Sequence, residues 1–192
     1  MNIKQLISTN QLRPLKDVAL FSILILGFHF FFRWWAYDLS YWPFQGIINP
    51  TYKFLTDLLY NNSIWALKYL TAYEFTTDDS LRKIIIGSGS VSVNFGCSGL
   101  KQFLQWVILM GFFPGPWKKK LWFIPSGLII IHLVNIFRIS GLSILLEYYP
   151  QYWNFSHDYL FRPFFYVVMF AMWVIWVEKF KGKKSKQMVY FN

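Results

Sequence analysis

The stretch LWFIPSGLIIIHLVNIFR, residues 121–138, is almost uninterrupted apolar sequence that ends at an arginine. A transmembrane helix needs roughly 17–25 mostly apolar residues, so this stretch predicts a helix that spans a bilayer. Three further stretches can also cross a bilayer, at residues 18–35, 98–115 and 161–177, although the second is short and polar at its start. We therefore predict an all-α polytopic membrane protein with four transmembrane helices, and a single integral membrane domain over residues 1–192.

The composition agrees with a membrane protein. Of the 192 residues, 55% are apolar and 15% are charged, whereas a soluble domain carries about a quarter charged residues. The net charge of +10 does not indicate nucleic-acid binding, because the basic residues flank the apolar runs instead of forming a recognition face. The expected partner is the lipid bilayer, with no nucleic acid.

The basic residues also predict an orientation. Cytoplasmic loops carry an excess of Lys and Arg, and the basic clusters precede the first span, separate the second from the third, and follow the fourth. Four crossings place all three clusters on one side and seven of the nine acidic residues on the other. We therefore predict a cytoplasmic-membrane protein with both termini cytoplasmic, a basic cytoplasmic tail at 178–192 and no removable signal peptide.

The segment 36–97 is then extracytoplasmic. Residues 41–73 are partly apolar, but charged groups such as Asp57 and Lys68 are costly in hydrocarbon. We interpret this region as two short amphipathic helices in the outer interface, broken at Asn61–Asn62. The stretch RKIIIGSGSVSVNF, residues 82–95, predicts a short extracytoplasmic β-hairpin around its glycines.

This topology brings three chemically useful side chains to the outer face. Cys97 precedes the second span, Arg138 ends the third, and His157 lies in the loop before the fourth. A thiol becomes a nucleophile when a cation or a helix N-terminus favours the thiolate, an imidazole acts as base and then acid, and a guanidinium stabilises an oxyanion. We predict that these three residues form a catalytic site.

Each of the three also has a plainer interpretation. Cys97 is the single cysteine in the chain, and a lone cysteine is more often a small buried hydrophobe. Arg138 fits a snorkelling residue, and His157 an ordinary loop residue beside a solvated Asp158. The remaining polar residues of the spans are interpreted as packing, helix-contact or interface residues: His29, Arg33 and His132. The sequence contains no metal-ligand spacing or cofactor-binding motif, so no cofactor is predicted.

The motifs CSGLKQFL, VNIFRISGL and SHD follow one another at the outer ends of the predicted spans. In this order they resemble the exosortase/archaeosortase family, and the chain resembles its compact bacterial members. The resemblance implies a cysteine transpeptidase or protease acting on membrane-tethered proteins with a C-terminal sorting signal. It implies that Cys97 is the nucleophile, with Arg138 and His157 as its partners. Arg162 is near enough to be a second cation at the site.

Two other functions stay open from the residues alone. A plain cysteine protease at the membrane surface uses the same residues and differs only in the acceptor, which is then water. A non-catalytic assembly or scaffold protein belongs to a different class, and in that case substitution of Cys97 is harmless. A transporter is disfavoured, because the spans contain no mid-membrane acidic residue to coordinate ions.

Overall fold

The fold is known from a computed structural model that describes residues 13–181. Of the first basic cluster, Lys4 falls outside these residues, and so do residues 182–192 of the predicted tail. The helices are α1 (Arg13–Tyr37), α2 (Gln45–Leu70), α3 (Leu100–Phe112), α4 (Trp117–Tyr148), the single turn α5 (Trp153–Phe155) and α6 (Arg162–Trp176). The strands are β1 (Thr76–Asp78), β2 (Lys83–Ile86) and β3 (Gly89–Ser92).

Three of the helical segments are long and apolar enough to cross a membrane: Pro14–Tyr37, Trp117–Tyr148 and Pro150–Phe180. They correspond to the first, third and fourth predicted spans, and the protein is a multi-pass membrane protein. The second predicted span, 98–115, contains α3, which is only 13 residues long. At 1.5 Å per residue α3 covers about 20 Å, less than the hydrocarbon core of about 30 Å. The helix ends early because Pro114, Gly115 and Pro116 follow it.

The helix that contains the third predicted span is longer than that span. Helix α4 continues ten residues beyond Arg138, to Tyr148, so Arg138 lies within a helix and not at its end. The extension is stabilised by packing, since Ile139 and Leu142 are both 1% exposed. The Ser143 hydroxyl donates a hydrogen bond of 2.9 Å to the Ile139 carbonyl within the helix. Helix α4 thereby contacts the three-stranded sheet as well as the other long helices.

The prediction of two interfacial helices broken at Asn61–Asn62 is wrong. One continuous helix, α2, runs through both asparagines and packs along α4. The Asn62 amide Nδ2 lies 2.9 Å from His132 Nε2 on α4, and Leu59 and Leu67 on either side are fully buried. Tertiary packing on this face therefore outweighs the weak helix propensity of asparagine.

The predicted hairpin is present as part of a larger sheet. Strands β2 and β3 pair antiparallel, with Ile86 opposite Gly89 at the turn, and β1 adds a third antiparallel strand outside β2. Gly87 has a positive φ of 56°, which suits a glycine at a tight turn. The turn is attached to α4, because the Ser88 N–H donates to Glu147 Oε2 at 3.0 Å. The sheet therefore lies at the Tyr148 end of α4.

His157 does not lie in a loop, as the sequence suggested. A 3-10 turn at Pro150–Tyr152 leads into α5, and a π-helical segment, Ser156–Phe161, joins α5 to α6. The wider π turn contains His157 and Asp158 and continues directly into the apolar helix. The position of the His157 ring is therefore tied to α6 and to Arg138, with which it forms a hydrogen bond.

The opposite end of the bundle contains a buried lysine. Lys120 is 3% exposed, and its ammonium group donates to the carbonyls of Gly111 and Phe113, at 3.0 and 2.7 Å. It also lies over the Trp117 ring, 4.4 Å from the centroid. The last carbonyls of a helix have no partner within it, so Lys120 closes the C-terminal end of α3. The core between α1, α3, α4 and α6 is rich in large side chains, among them Trp106, Met169 and Trp176.

Candidate active site

The thiol lies on a turn that connects the sheet to α3. A 3-10 turn, Phe95–Cys97, follows β3, and Gly99 precedes α3 in the left-handed region with a φ of 80°. The Cys97 carbonyl accepts a hydrogen bond of 2.7 Å from the Asn135 amide of α4. A Cβ at Gly99 would lie only 3.0 Å from this amide nitrogen. The glycine thus makes room for Asn135, and Asn135 fixes the thiol-bearing turn against α4.

Arg138, His157 and Asp158 form a chain of hydrogen bonds. Arg138 Nη2 lies 3.1 Å from His157 Nε2, and His157 Nδ1 lies 2.8 Å from Asp158 Oδ1. A guanidinium can only donate and a carboxylate can only accept, so the neutral imidazole carries its proton on Nδ1 and accepts at Nε2. The ring also stacks on Trp153, with 5.8 Å between centroids. Arg162 Nη1 binds the same carboxylate oxygen at 3.0 Å.

Cys97, Arg138 and His157 line one cavity of about 580 Å³, here called the thiol cavity. Arg138 is 7% exposed, and its charge lies within electrostatic range of Cys97. The Arg138 Nε is buried and has no hydrogen-bond partner within residues 13–181. Unsatisfied buried donors are uncommon and costly. This cavity is therefore lined by a thiol, by an imidazole with an accepting nitrogen, and by a buried guanidinium.

A family model described as transmembrane exosortase matches residues 14–180, which cover nearly all of the chain and the whole site. The chain belongs to the transmembrane exosortase family. This confirms the resemblance based on the three motifs. No curated protein and no solved structure matches this member of the family.

The structure adds residues to the candidate site that the sequence interpretation assigned elsewhere. Asp158, interpreted as solvated, binds the His157 ring, and Asn135 was not singled out for a role. His29, interpreted as a packing residue, lines the thiol cavity together with Arg162 and Lys101. The asparagine of the VNIFRISGL motif was a usable signal, because it lies three residues before Arg138 and positions three apart lie on one helix face. No sequence signal connects His29, on α1, with Lys101, on α3.

Proposed function

We propose that this exosortase-family protein is a membrane-embedded cysteine transpeptidase or protease. It cleaves the C-terminal sorting signal of exported, membrane-tethered proteins at the extracytoplasmic face and forms a thioester with them. The observation that carries this proposal is that Cys97, His157 and the buried guanidinium of Arg138 line one cavity. A buried cationic donor beside a nucleophile suits a developing oxyanion.

In the proposed reaction Cys97 attacks the carbonyl carbon of the scissile peptide. His157 accepts the thiol proton at Nε2 once the Arg138 guanidinium turns from the ring to the substrate oxygen. Asp158 keeps the other ring proton at Nδ1 and stabilises the imidazolium, as a carboxylate does in other nucleophile–histidine sites. Collapse of the tetrahedral intermediate breaks the C–N bond, and His157 returns its proton to the leaving amine. An acceptor amine or water then releases the thioester.

The proposed topology has four crossings, with both termini in the cytoplasm of a bacterium and the thiol outside. Along α4, the contact of Asn135 with Cys97 and those of Lys120 with the end of α3 are separated by about 22 Å of helix axis. The segment 98–115 therefore covers most of a hydrocarbon core of about 30 Å, although α3 itself is short. This favours opposite membrane faces for Cys97 and for the basic cluster Lys118–Lys120, as the positive-inside rule expects.

The test is cleavage of a co-expressed membrane-tethered protein that ends in a short motif, an apolar helix and a basic cluster. We expect Cys97→Ala to abolish cleavage and hydroxylamine to release the acyl group from the parent enzyme. His157→Gln should reduce the rate about 10²–10⁴-fold and Arg138→Lys about 10²–10³-fold. Retained cleavage by Cys97→Ala would overturn the proposal and favour the scaffold function.

Two matched controls separate chemistry from folding. His132→Gln removes a histidine that bonds Asn62 outside the thiol cavity, and Arg82→Lys alters an arginine that pairs with Asp57. Both should keep parental cleavage. Sidedness is tested by a membrane-impermeant maleimide on oriented vesicles, where Cys97 is the single possible thiol target. Labelling only from the cytoplasmic face would contradict the topology.

A further inference from the structure

A second cavity adjoins the thiol cavity and is lined by several basic side chains and by no acidic one among residues 13–181. Its volume is also about 580 Å³, and it shares His29, Lys101 and Arg162 with the thiol cavity. Arg33 from α1 lines it as well. We call it the cationic cavity, because among residues 13–181 neither its lining nor that of the thiol cavity includes an Asp or Glu.

Two of its cations lack an anionic partner. Within residues 13–181, Lys101 Nζ bonds the uncharged acceptor His29 Nδ1 at 3.0 Å and lies 5.8 Å from the Phe32 ring centroid. Arg33 lies 6.0 Å from the Tyr37 ring centroid and has no carboxylate within ion-pair distance in that part of the chain. Arg162 has Asp158 as its partner. Lys101 is half-buried, whereas Arg33 is exposed. A half-buried charge without a counter-charge is costly, so Lys101 in particular favours an anion in the cavity.

The basic side chains of the cavity all offer hydrogen-bond donors. Because Lys101 donates to Nδ1 of His29, the neutral ring carries its proton on Nε2 and has a further N–H donor. The Tyr166 hydroxyl, which lines the thiol cavity, lies 3.4 Å from the same Nδ1. Lysine and arginine side chains contribute only donors. Cations from α1, α3 and α6 thus surround the space with donors from several directions.

We propose that the cationic cavity binds a phosphate group, from a lipid headgroup or from a free phosphate compound. A carboxylate presents two oxygens in a plane and is matched by a single arginine fork. A phosphate presents more acceptor oxygens and up to about two negative charges, which suits three cations on three helices. This inference goes beyond the proposed function, and it does not require that Cys97 is catalytic.

The test is thermal unfolding of the purified full chain in a neutral detergent. Inorganic phosphate, monomeric dihexanoyl phosphatidic acid and acetate are each compared with chloride at equal ionic strength. We expect a phosphate probe to raise the Tm by about 2–4 °C and Lys101→Gln to abolish the rise. If Lys101→Gln does not fold, Arg33→Gln at an exposed position of the lining replaces it and should reduce the rise in Tm. Lys53→Gln, an exposed lysine outside both cavities, is the charge-matched control and should keep it.

Each outcome decides the proposal. A rise with inorganic phosphate identifies a site for free phosphate, and a rise with phosphatidic acid alone identifies a headgroup site. No rise with either probe, an equal rise with acetate, or an equal loss in Lys53→Gln would overturn the inference. The same rise in Tm is expected for Cys97→Ala, because phosphate binding does not require the thiol. If the proposed function fails, the Cys97→Ala variant retains cleavage. That result does not depend on phosphate binding.

Discussion

Replacing Lys120 by methionine removes the ammonium group that closes the C-terminal end of α3 while keeping a side chain of similar length. Two charge-assisted hydrogen bonds, at 3.0 and 2.7 Å, are lost from carbonyls at the end of a helix. Each such bond contributes about 1.5–3 kcal/mol, so the free energy of unfolding should fall by about 3–6 kcal/mol. For a chain of this size the Tm should fall by roughly 6–24 °C.

The assay is thermal unfolding of the detergent-purified protein, followed by near-ultraviolet circular dichroism of its tryptophans. Lys118→Met is the matched control, because Lys118 is an exposed lysine of the same basic cluster and should change the Tm little. Lys120→Arg should recover part of the loss, since a guanidinium also donates to carbonyls. Equal Tm values for Lys120→Met and Lys118→Met would refute the structural role and leave Lys120 as an orientation signal only.

Two further predictions concern the proposed site. Asp158→Asn removes the carboxylate that holds the His157 proton at Nδ1, and reporter cleavage should fall about 10²–10⁴-fold with little change in Tm. A parental rate would show that Asp158 has no part in orienting the ring. Asn135→Leu leaves the Cys97 carbonyl without its donor and should slow cleavage roughly 5–150-fold through a loss of about 1–3 kcal/mol. Asn62→Leu breaks a comparable bond to His132 and should affect only the Tm. Equal effects of Asn62→Leu and Asn135→Leu on cleavage would contradict a positioning role for Asn135.

The sequence predicted the long apolar helices well, because a membrane span needs only length and composition. It failed where a contact from another element decides the outcome. Asn61–Asn62 was interpreted as a break, yet Asn62 bonds His132 and the helix continues. Arg138 was placed at a helix end because a charge follows an apolar run, yet α4 continues by packing on the sheet and on α2. Neither contact has a local signal in the chain.

The same limit applies to the site. Cys97, Arg138 and His157 were selected by residue type and by the predicted sidedness, and the structure brings all three to one cavity. The neighbouring cations were not recognised as a group. Lys101 lies among polar residues at the start of a helix, and Arg33 is near the end of another, where each alone fits an ordinary interface residue. Only the packing of α1 against α3 places Lys101 beside His29.

One helix connects the two halves of the proposed site. Asn135 and Arg138 are three residues apart on α4, so both side chains lie on the same face. The first binds the backbone of the turn that contains Cys97, and the second binds the ring of His157. The separation between thiol and imidazole therefore depends on a single rigid element instead of on two independent loops. A substitution that bends α4 between these positions should lower the rate of cleavage without removing any group that takes part in the reaction. Such precise positioning is what effective intramolecular catalysis requires.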